Sequence, residues 1–427
     1  MVYSDSRRAG FGALALLLAA MLAACGSHSI QPGVANPARG FATDLASPPP
    51  GIIADTWSGI HAFQVFDAHI PPNTATKHAS RYEVAWGTRD APAWKAGNPA
   101  ILTTYYAPFS SDFSRTNGLK WWLGHHPDWI LYRCDEKTPA WPSGLKYVPL
   151  DISNPAVVQW QFATYGPVME NGGYDGFGAD LVGLGNSSFG CGVFIHGVWT
   201  QRFSGQQDDE AWAQAVLTWA SSAASLLHSQ PRPLVLGVNT VPESRPFGDA
   251  DEDQLLNSVD FVDDESAFTN YGNNYESINA VDLILQWMNY VQQTLNKPYI
   301  VDDKWNTATN SQQQIGWAIA TYLLGKYHLS ALFTDHLPGY GYEYWHSEYD
   351  APVDRPCADM QVDPAHKGVF FRFYQGAYVL VNASASSTYS LTLPKPSYRS
   401  IFGGTVTSPL SATPDTGYIL MTSHGCS

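Results

Sequence analysis

From residue 51 to about residue 345 the chain alternates two hydrophobic rhythms. Short apolar and β-branched runs fall at 62–67 (AFQVFD), 82–86 (YEVAW), 101–106 (ILTTYY), 175–181 (DGFGADL), 234–239 (LVLGVN), 259–265 (VDFVDDE), 298–303 (PYIVDD) and 329–335 (LSALFTD). Each reads as a buried strand. Between them, 154–170, 208–229, 279–296 and 311–327 carry apolar residues at helical spacing. The first of these has Ser153 as its cap and Pro155 in its opening turn, a strong start signal. Eight strands alternating with helices predict an α/β fold, a (β/α)8 TIM barrel over 51–350, for which ~250 residues plus insertions suffice. The stretch 117–151 is the largest interruption and is expected to pack over the face where the strands end.

After about residue 355 the rhythm changes. The runs 368–374 (GVFFRFY), 377–382 (AYVLVN), 390–393 (SLTL) and 418–421 (YILM) are short, strand-like and separated by turn residues. They predict a small antiparallel C-terminal β-sandwich domain over 355–427.

The other end of the chain reads as a targeting segment. Arg7 and Arg8 precede an apolar stretch that is too short to span a bilayer and is followed by small residues. Residues 1–24 are therefore expected to be a signal peptide. The run Leu22-Ala23-Ala24-Cys25-Gly26 resembles a bacterial lipobox, which implies cleavage before Cys25 and lipidation of its sulfur. Residues 25–50, rich in Pro, Ser, Ala and Gly, then form a flexible tether. The expected location is the bacterial cell envelope, held to the membrane by an N-terminal lipid anchor, or the extracellular space; Gly26 after the cysteine points to an outer membrane where the host has one.

Four cysteines remain beside Cys25, namely Cys134, Cys191, Cys357 and Cys426. An exported chain with an even number is expected to form disulfides, and three pairings are possible. Cys134 with Cys191 and Cys357 with Cys426 keeps each pair within one region. The net charge of -15 argues against nucleic acid as a partner. Charged residues make up only 14% while aromatics reach 13% with 15 Trp, a mix suited to stacking flat apolar faces against sugars. A monomer is expected.

The candidate chemistry lies at strand ends. A carboxylate at the tip of a buried strand is costly unless it is hydrogen-bonded or used. In a barrel, side chains at the C-terminal strand ends form the active face. This selects Asp180 after the fourth strand and Glu265 after the sixth as the catalytic pair, with Asp263 able to share the lumen with Glu265 because it lies two residues away. Asp175 begins its strand, at the opposite face, and reads as structural. Asp67 and His69 after the first strand, Trp86 at the end of the second, Asp302 or Asp303 with Trp305 after the seventh, and Asp335 after the eighth are candidates for substrate binding. Trp57 and Trp122 are further candidate stacking platforms. Asp151 reads as part of the turn into a helix.

The segments 148–155 (VPLDISNP) and 174–180 (YDGFGAD), with the C-terminal tract, resemble the glycoside hydrolases of hypothetical family 15 and their relatives. The resemblance covers most of 51–427 and implies a glycosidase barrel. The placement of Asp180 and Glu265 is also similar to a clan of retaining enzymes with an Asp nucleophile on the fourth strand and the acid/base on the sixth. It implies those roles here, with a poly- or oligosaccharide as substrate and no cofactor.

Two other classes compete. A metal-dependent hydrolase would need an imidazole-rich ligand set, but the fifth strand ends at Asn239 and the sixth in acids, so no metal is expected. A non-catalytic glycan-binding or structural envelope lipoprotein would retain the fold and lose the reaction.

Overall fold

The computed structural model describes residues 52–114, 117–142, 147–423 and 426. The signal peptide, Cys25 and the tether lie outside these residues. Within the described residues, no helix is long and apolar enough to cross a membrane.

Eight parallel strands close into a barrel: β1 Ala62–Val65, β2 Tyr82–Trp86, β3 Leu102–Pro108, β4 Gly176–Asp180, β5 Val235–Asn239, β6 Phe261–Glu265, β7 Tyr299–Lys304 and β8 Ser330–Asp335. They follow one another around the barrel in chain order, and β8 pairs with β1. All eight coincide with the apolar runs, because a parallel strand covered on both faces needs an almost continuous apolar stretch.

One helix of the barrel's outer layer follows each of the first seven strands: α1 Pro72–His78, α2 Ala91–Gly97, α3 Pro155–Gly172, α4 Glu210–His228, α5 Ala250–Ser258, α6 Ile278–Asn289 and α7 Gln312–Gly325; a further short helix, Leu119–His125, lies in the insertion after β3. The longer α3, α4, α6 and α7 fill the four helical stretches. The region expected to be helical to residue 296 passes into a π-turn at Tyr290–Thr294. Helices α1 and α2 are seven residues each, too short to display an apolar stripe over two full turns. In α5 the sequence ADEDQLLNS is dominated by an acidic first turn, capped by Asp249. The cap of α3 is Asn154, whose side chain accepts from Ala156 N, rather than Ser153. The Ser153 hydroxyl instead donates to Asp151 at 2.5 Å, which places Asp151 in the turn.

Among the described residues no α-helix follows β8, only the single 3-10 turn Ser347–Asp350. The C-terminal antiparallel sheet covers α7 in its place. Helix α7 is buried at every position from Gly316 to Gly325, as a helix packed on two sides must be. The last strand of the sheet, Thr416–Met421, meets α7 backbone to backbone: a Cβ on Gly417 would fall 2.3 Å from the Gly316 carbonyl oxygen. The disulfides are Cys134–Cys191 and Cys357–Cys426. The first ties the long insertion after β3 to the loop after β4.

The lumen is packed rather than hollow. Phe63, Val65, Val84, Trp86, Leu102, Val235, Phe261, Ile300, Ala331 and Phe333 form one buried cluster inside the strands. Glycines on β4 and β5 make room for it. A Cβ on Gly178 would lie 2.9 Å from Thr104 Oγ1 and 3.2 Å from the Trp86 indole, and one on Gly237 would lie 2.1 Å from Phe261 Cζ. Gly237→Ala is therefore expected to destabilise the fold by about 1–3 kcal/mol through overpacking. Urea unfolding measures this, and a loss below about 0.5 kcal/mol would show that the Phe261 ring yields freely.

Candidate active site

Alternation along each strand decides which side chains reach the mouth. With Phe261 in the lumen, Asp263 and Glu265 follow it inward, while Asp264 faces the helices. With Val235 inward, Asn239 stands at the tip of β5. With Ile300 inward, Asp302 and Lys304 face the lumen. On β8, Ala331 and Phe333 lead to Asp335.

Asp180 is 8% exposed and receives three hydrogen bonds: the Tyr106 hydroxyl donates to Oδ2, Leu181 N to Oδ1 at 2.8 Å, and Asn239 Nδ2 to Oδ1 at 2.9 Å. Asn239 Nδ2 also donates to Glu265 Oε2 at 2.9 Å, and the Tyr340 hydroxyl donates to Glu265 Oε1 at 2.7 Å. One amide nitrogen thus bridges the two carboxylates. The chain turns sharply just after each of them, because Leu181 (φ 61°) and Ser266 (φ 73°) are left-handed without being glycine. That conformation is costly and tends to persist where function holds it. Here it throws the loops outward and leaves both acids at the rim.

Burial, and then the Glu265 charge, raise Asp180 to about 6, against the pull of its hydrogen bonds. Asp263 and Asp302 are raised well above the ordinary carboxylate range, each first by burial and then by the other acids of the lumen. Asp335 is raised to about 7 by burial, opposed by the His336 amide and Lys304. An oxygen of Asp263, of Asp302 and of Asp335 is buried with no hydrogen-bond partner. Lys304 is aligned with Asp335 across β7 and β8, and its ammonium lies over the Tyr340 ring at 4.5 Å.

Several candidates lie elsewhere. Asp303 points into the helical layer, fully buried, and accepts Phe268 N at 2.8 Å, so its neighbour Asp302 takes the lumen position. Trp305, 2% exposed, packs with Tyr275 and Trp317 on the helix side. Trp86 is also 2% exposed and forms the floor of the lumen edge-on to Phe261, so no face is left for a sugar. Trp122 is buried within the insertion, donating to Asp112 at 2.8 Å, and Trp57 packs near Tyr327. The Asp67 carboxylate is occupied by the Thr88 hydroxyl, Arg89 N and Trp94 Nε1; it shapes the loop after β2. His69 is exposed at the rim and stacks on Tyr342 with ring centroids 4.2 Å apart. Asp175 pairs with Lys95 at 2.7 Å and accepts Thr103 N at the barrel's base. Among the described residues, no group of three His, Cys, Asp or Glu is arranged to hold a metal ion.

The pattern reading missed Tyr106, Asn239 and Tyr340. The first two are the inward-phased tips of β3 and β5, and alternation from Leu102 and Val235 points to them. Tyr340 sits in the loop after β8, where no periodicity exists. That loop is pinned by Gly341 N donating to Val65 O and by Glu343 binding His78 and Arg81.

No family model and no curated protein matches the chain. Solved structures match at low identity. A noncanonic maltogenic alpha-amylase from Thermotoga neapolitana is 12% identical over 85% of this chain and 98% of its own, with a TM-score of 0.46. An Anoxybacillus alpha-amylase is 10% identical over 85% and 97%, with a TM-score of 0.47. A GH36 alpha-galactosidase from Geobacillus stearothermophilus is 10% identical over 86% of this chain and 56% of its own, with a TM-score of 0.43. At these values the likeness transfers neither family nor substrate.

Proposed function

We propose that the chain is a glycoside hydrolase acting with retention on an envelope or extracellular glycan, with Asp180 as nucleophile and Glu265 as acid/base. The observation that carries this is the Asn239 bridge. Two contacts of 2.9 Å from one nitrogen keep the nearest oxygens of the pair within twice that length, short of the roughly 6.5–9.5 Å of inverting enzymes and compatible with the roughly 5–5.5 Å of retaining ones. The resemblance to the hypothetical family 15 supports the same class.

Glu265 protonates the glycosidic oxygen while Asp180 attacks the anomeric carbon. The leaving group departs with its new proton, and a covalent glycosyl ester remains on Asp180. Glu265, now a carboxylate, takes a proton from water, which attacks the ester and frees the sugar with its original configuration. The division of roles follows exposure. Asp180 is locked by three donors, as an attacking group must be, whereas Glu265 is longer and less buried and can reach a leaving group and water. His69, exposed at the rim, and the partly exposed Lys304 would meet sugar hydroxyls, while Asp335 is fully buried behind them, and lipidated Cys25 would hold the enzyme at the membrane where such glycans lie.

Incubation with envelope polysaccharides should release reducing ends whose first-formed anomer, read by proton NMR, matches the bond cleaved. A fluorinated glycosyl inhibitor should add its mass to the peptide containing Asp180. Labelling of Glu265 instead would reverse the roles. Glycan binding with no cleavage would favour the non-catalytic glycan-binding reading.

The nucleophile must be ionised. Since Asp180 is raised to about 6, kcat/KM should climb with pH through an acidic limb near that value and fall again at higher pH, where the group that protonates the leaving oxygen loses its proton. A limb near pH 4 would show that the free enzyme does not hold Asp180 in the raised state.

A further inference from the structure

We propose that Asp302, Tyr340 and Glu265 form a proton relay, in which Asp302 stores the proton that Glu265 delivers to the leaving group and Tyr340 passes it between them. The inference rests on the acid/base role of Glu265 and adds two residues to it.

The geometry is specific. Glu265 and Asp302 are register partners on β6 and β7, so their side chains leave adjacent strands at one level of the lumen. The Tyr340 hydroxyl enters from the loop after β8 and donates to Glu265 Oε1 at 2.7 Å, beside the strand position from which Asp302 projects, and its proximity favours the ionised form of Asp302. A hydroxyl has one proton to give, so between two acids it can donate to one and accept from the other. Asp302 is 2% exposed, with Oδ1 buried and unpartnered, a state that burial tolerates far better for a neutral acid than for an anion.

Burial and then the Glu265 charge oppose ionisation of Asp302, against the pull of the Tyr340 hydroxyl and Lys304. Asp180 from β4 and Asp263 from β6 complete the acidic lining of the lumen. Tyr106 from β3 is held against Asp180. Lys304 of β7 lies over the Tyr340 ring, where a cation eases loss of the hydroxyl proton during transfer. The step balances. Asp302 gives its proton to the Tyr340 oxygen as Tyr340 gives its own to Glu265 Oε1; Asp302 is left as carboxylate and Tyr340 is unchanged. When water later protonates Glu265, the reverse transfer restores Asp302.

The test is a titration of the full-length chain carrying 13C at the aspartate carboxyl carbon, with the Asp302 signal assigned by its loss in Asp302→Asn. In the parent, Asp302 should remain protonated well above the ordinary aspartate range. Glu265→Gln removes the adjacent acid, and the Asp302 midpoint should fall by at least one pH unit. Tyr340→Phe removes a donor to the ionised form, and the midpoint should rise by at least half a unit, with the melting temperature reporting that both variants fold. An Asp302 signal that is already ionised at pH 6, or that neither substitution moves, overturns the relay. No turnover is needed, so a chain whose Asp302 titrates as stated but which releases no sugar overturns the glycosidase reading alone.

Discussion

Asp180→Asn and Glu265→Gln should each lower kcat for glycan hydrolysis by at least about a thousandfold, the scale on which nucleophilic and general acid–base groups act. Both changes are nearly isosteric. The amide oxygen introduced by Asp180→Asn can still accept from Leu181 N, and the one introduced by Glu265→Gln can still accept from Tyr340, so the rim keeps its shape while the charge is lost. The two variants should differ in how they respond to the leaving group. With an activated aryl glycoside, departure needs little protonation, and Glu265→Gln should recover its first step. Asp180→Asn should not, because the bond to the anomeric carbon still cannot form. Added azide should rescue the turnover of Glu265→Gln by replacing water in the second step. Equal rates for parent and variants on reducing-end release would sink the proposed mechanism.

The second large effect is on stability. The fold buries more carboxyl groups than it pairs. Besides Asp180, Asp263, Asp302 and Asp335, it holds Asp264, raised to about 7 chiefly by burial, and Glu252, raised to about 8 by burial against the pull of Arg245. These folded-state values lie above those of the unfolded chain, about 4. Such groups favour the fold while protonated. Their contribution is complete below the unfolded value and is lost as pH rises through the folded values. The melting temperature should therefore fall between pH 5 and pH 8, with a total loss on the order of 3–5 kcal/mol after allowance for solvent relaxation. Asp264→Asn should raise the melting temperature at pH 8 and flatten the slope, since the amide oxygen can still accept from Tyr299. A melting temperature that is level or climbs across this range would contradict the account. Asp180→Asn should also stabilise, so the group the reaction needs is one the fold would be firmer without.

The strands were legible because each is covered on both faces and carries a dense apolar run. The same density hid their phase. In 298–303 (PYIVDD) nothing distinguishes the lumen side from the helix side, so Asp303 was as credible as Asp302, and only the inward placement of Ile300 separates them. Trp305 and Trp86 misled for a related reason: aromatic residues at strand ends can serve a cleft or a core, and here one fills the helix layer and the other the lumen floor. Helices α1, α2 and α5 were too short or too acidic to show a periodic face.

By itself the sequence determined the barrel, the β domain after it, the disulfide partners by region, and the strand ends that carry acids. These follow from local periodicity and spacing, which a chain encodes residue by residue. Tertiary structure alone decided that Asn239 bridges Asp180 and Glu265, that Tyr340 reaches across from the loop after β8, and that Asp302 faces inward. Those depend on how eight strands close and in what phase. Closure joins residues as distant in the chain as Ala62 and Leu332, and no local pattern contains such a pairing.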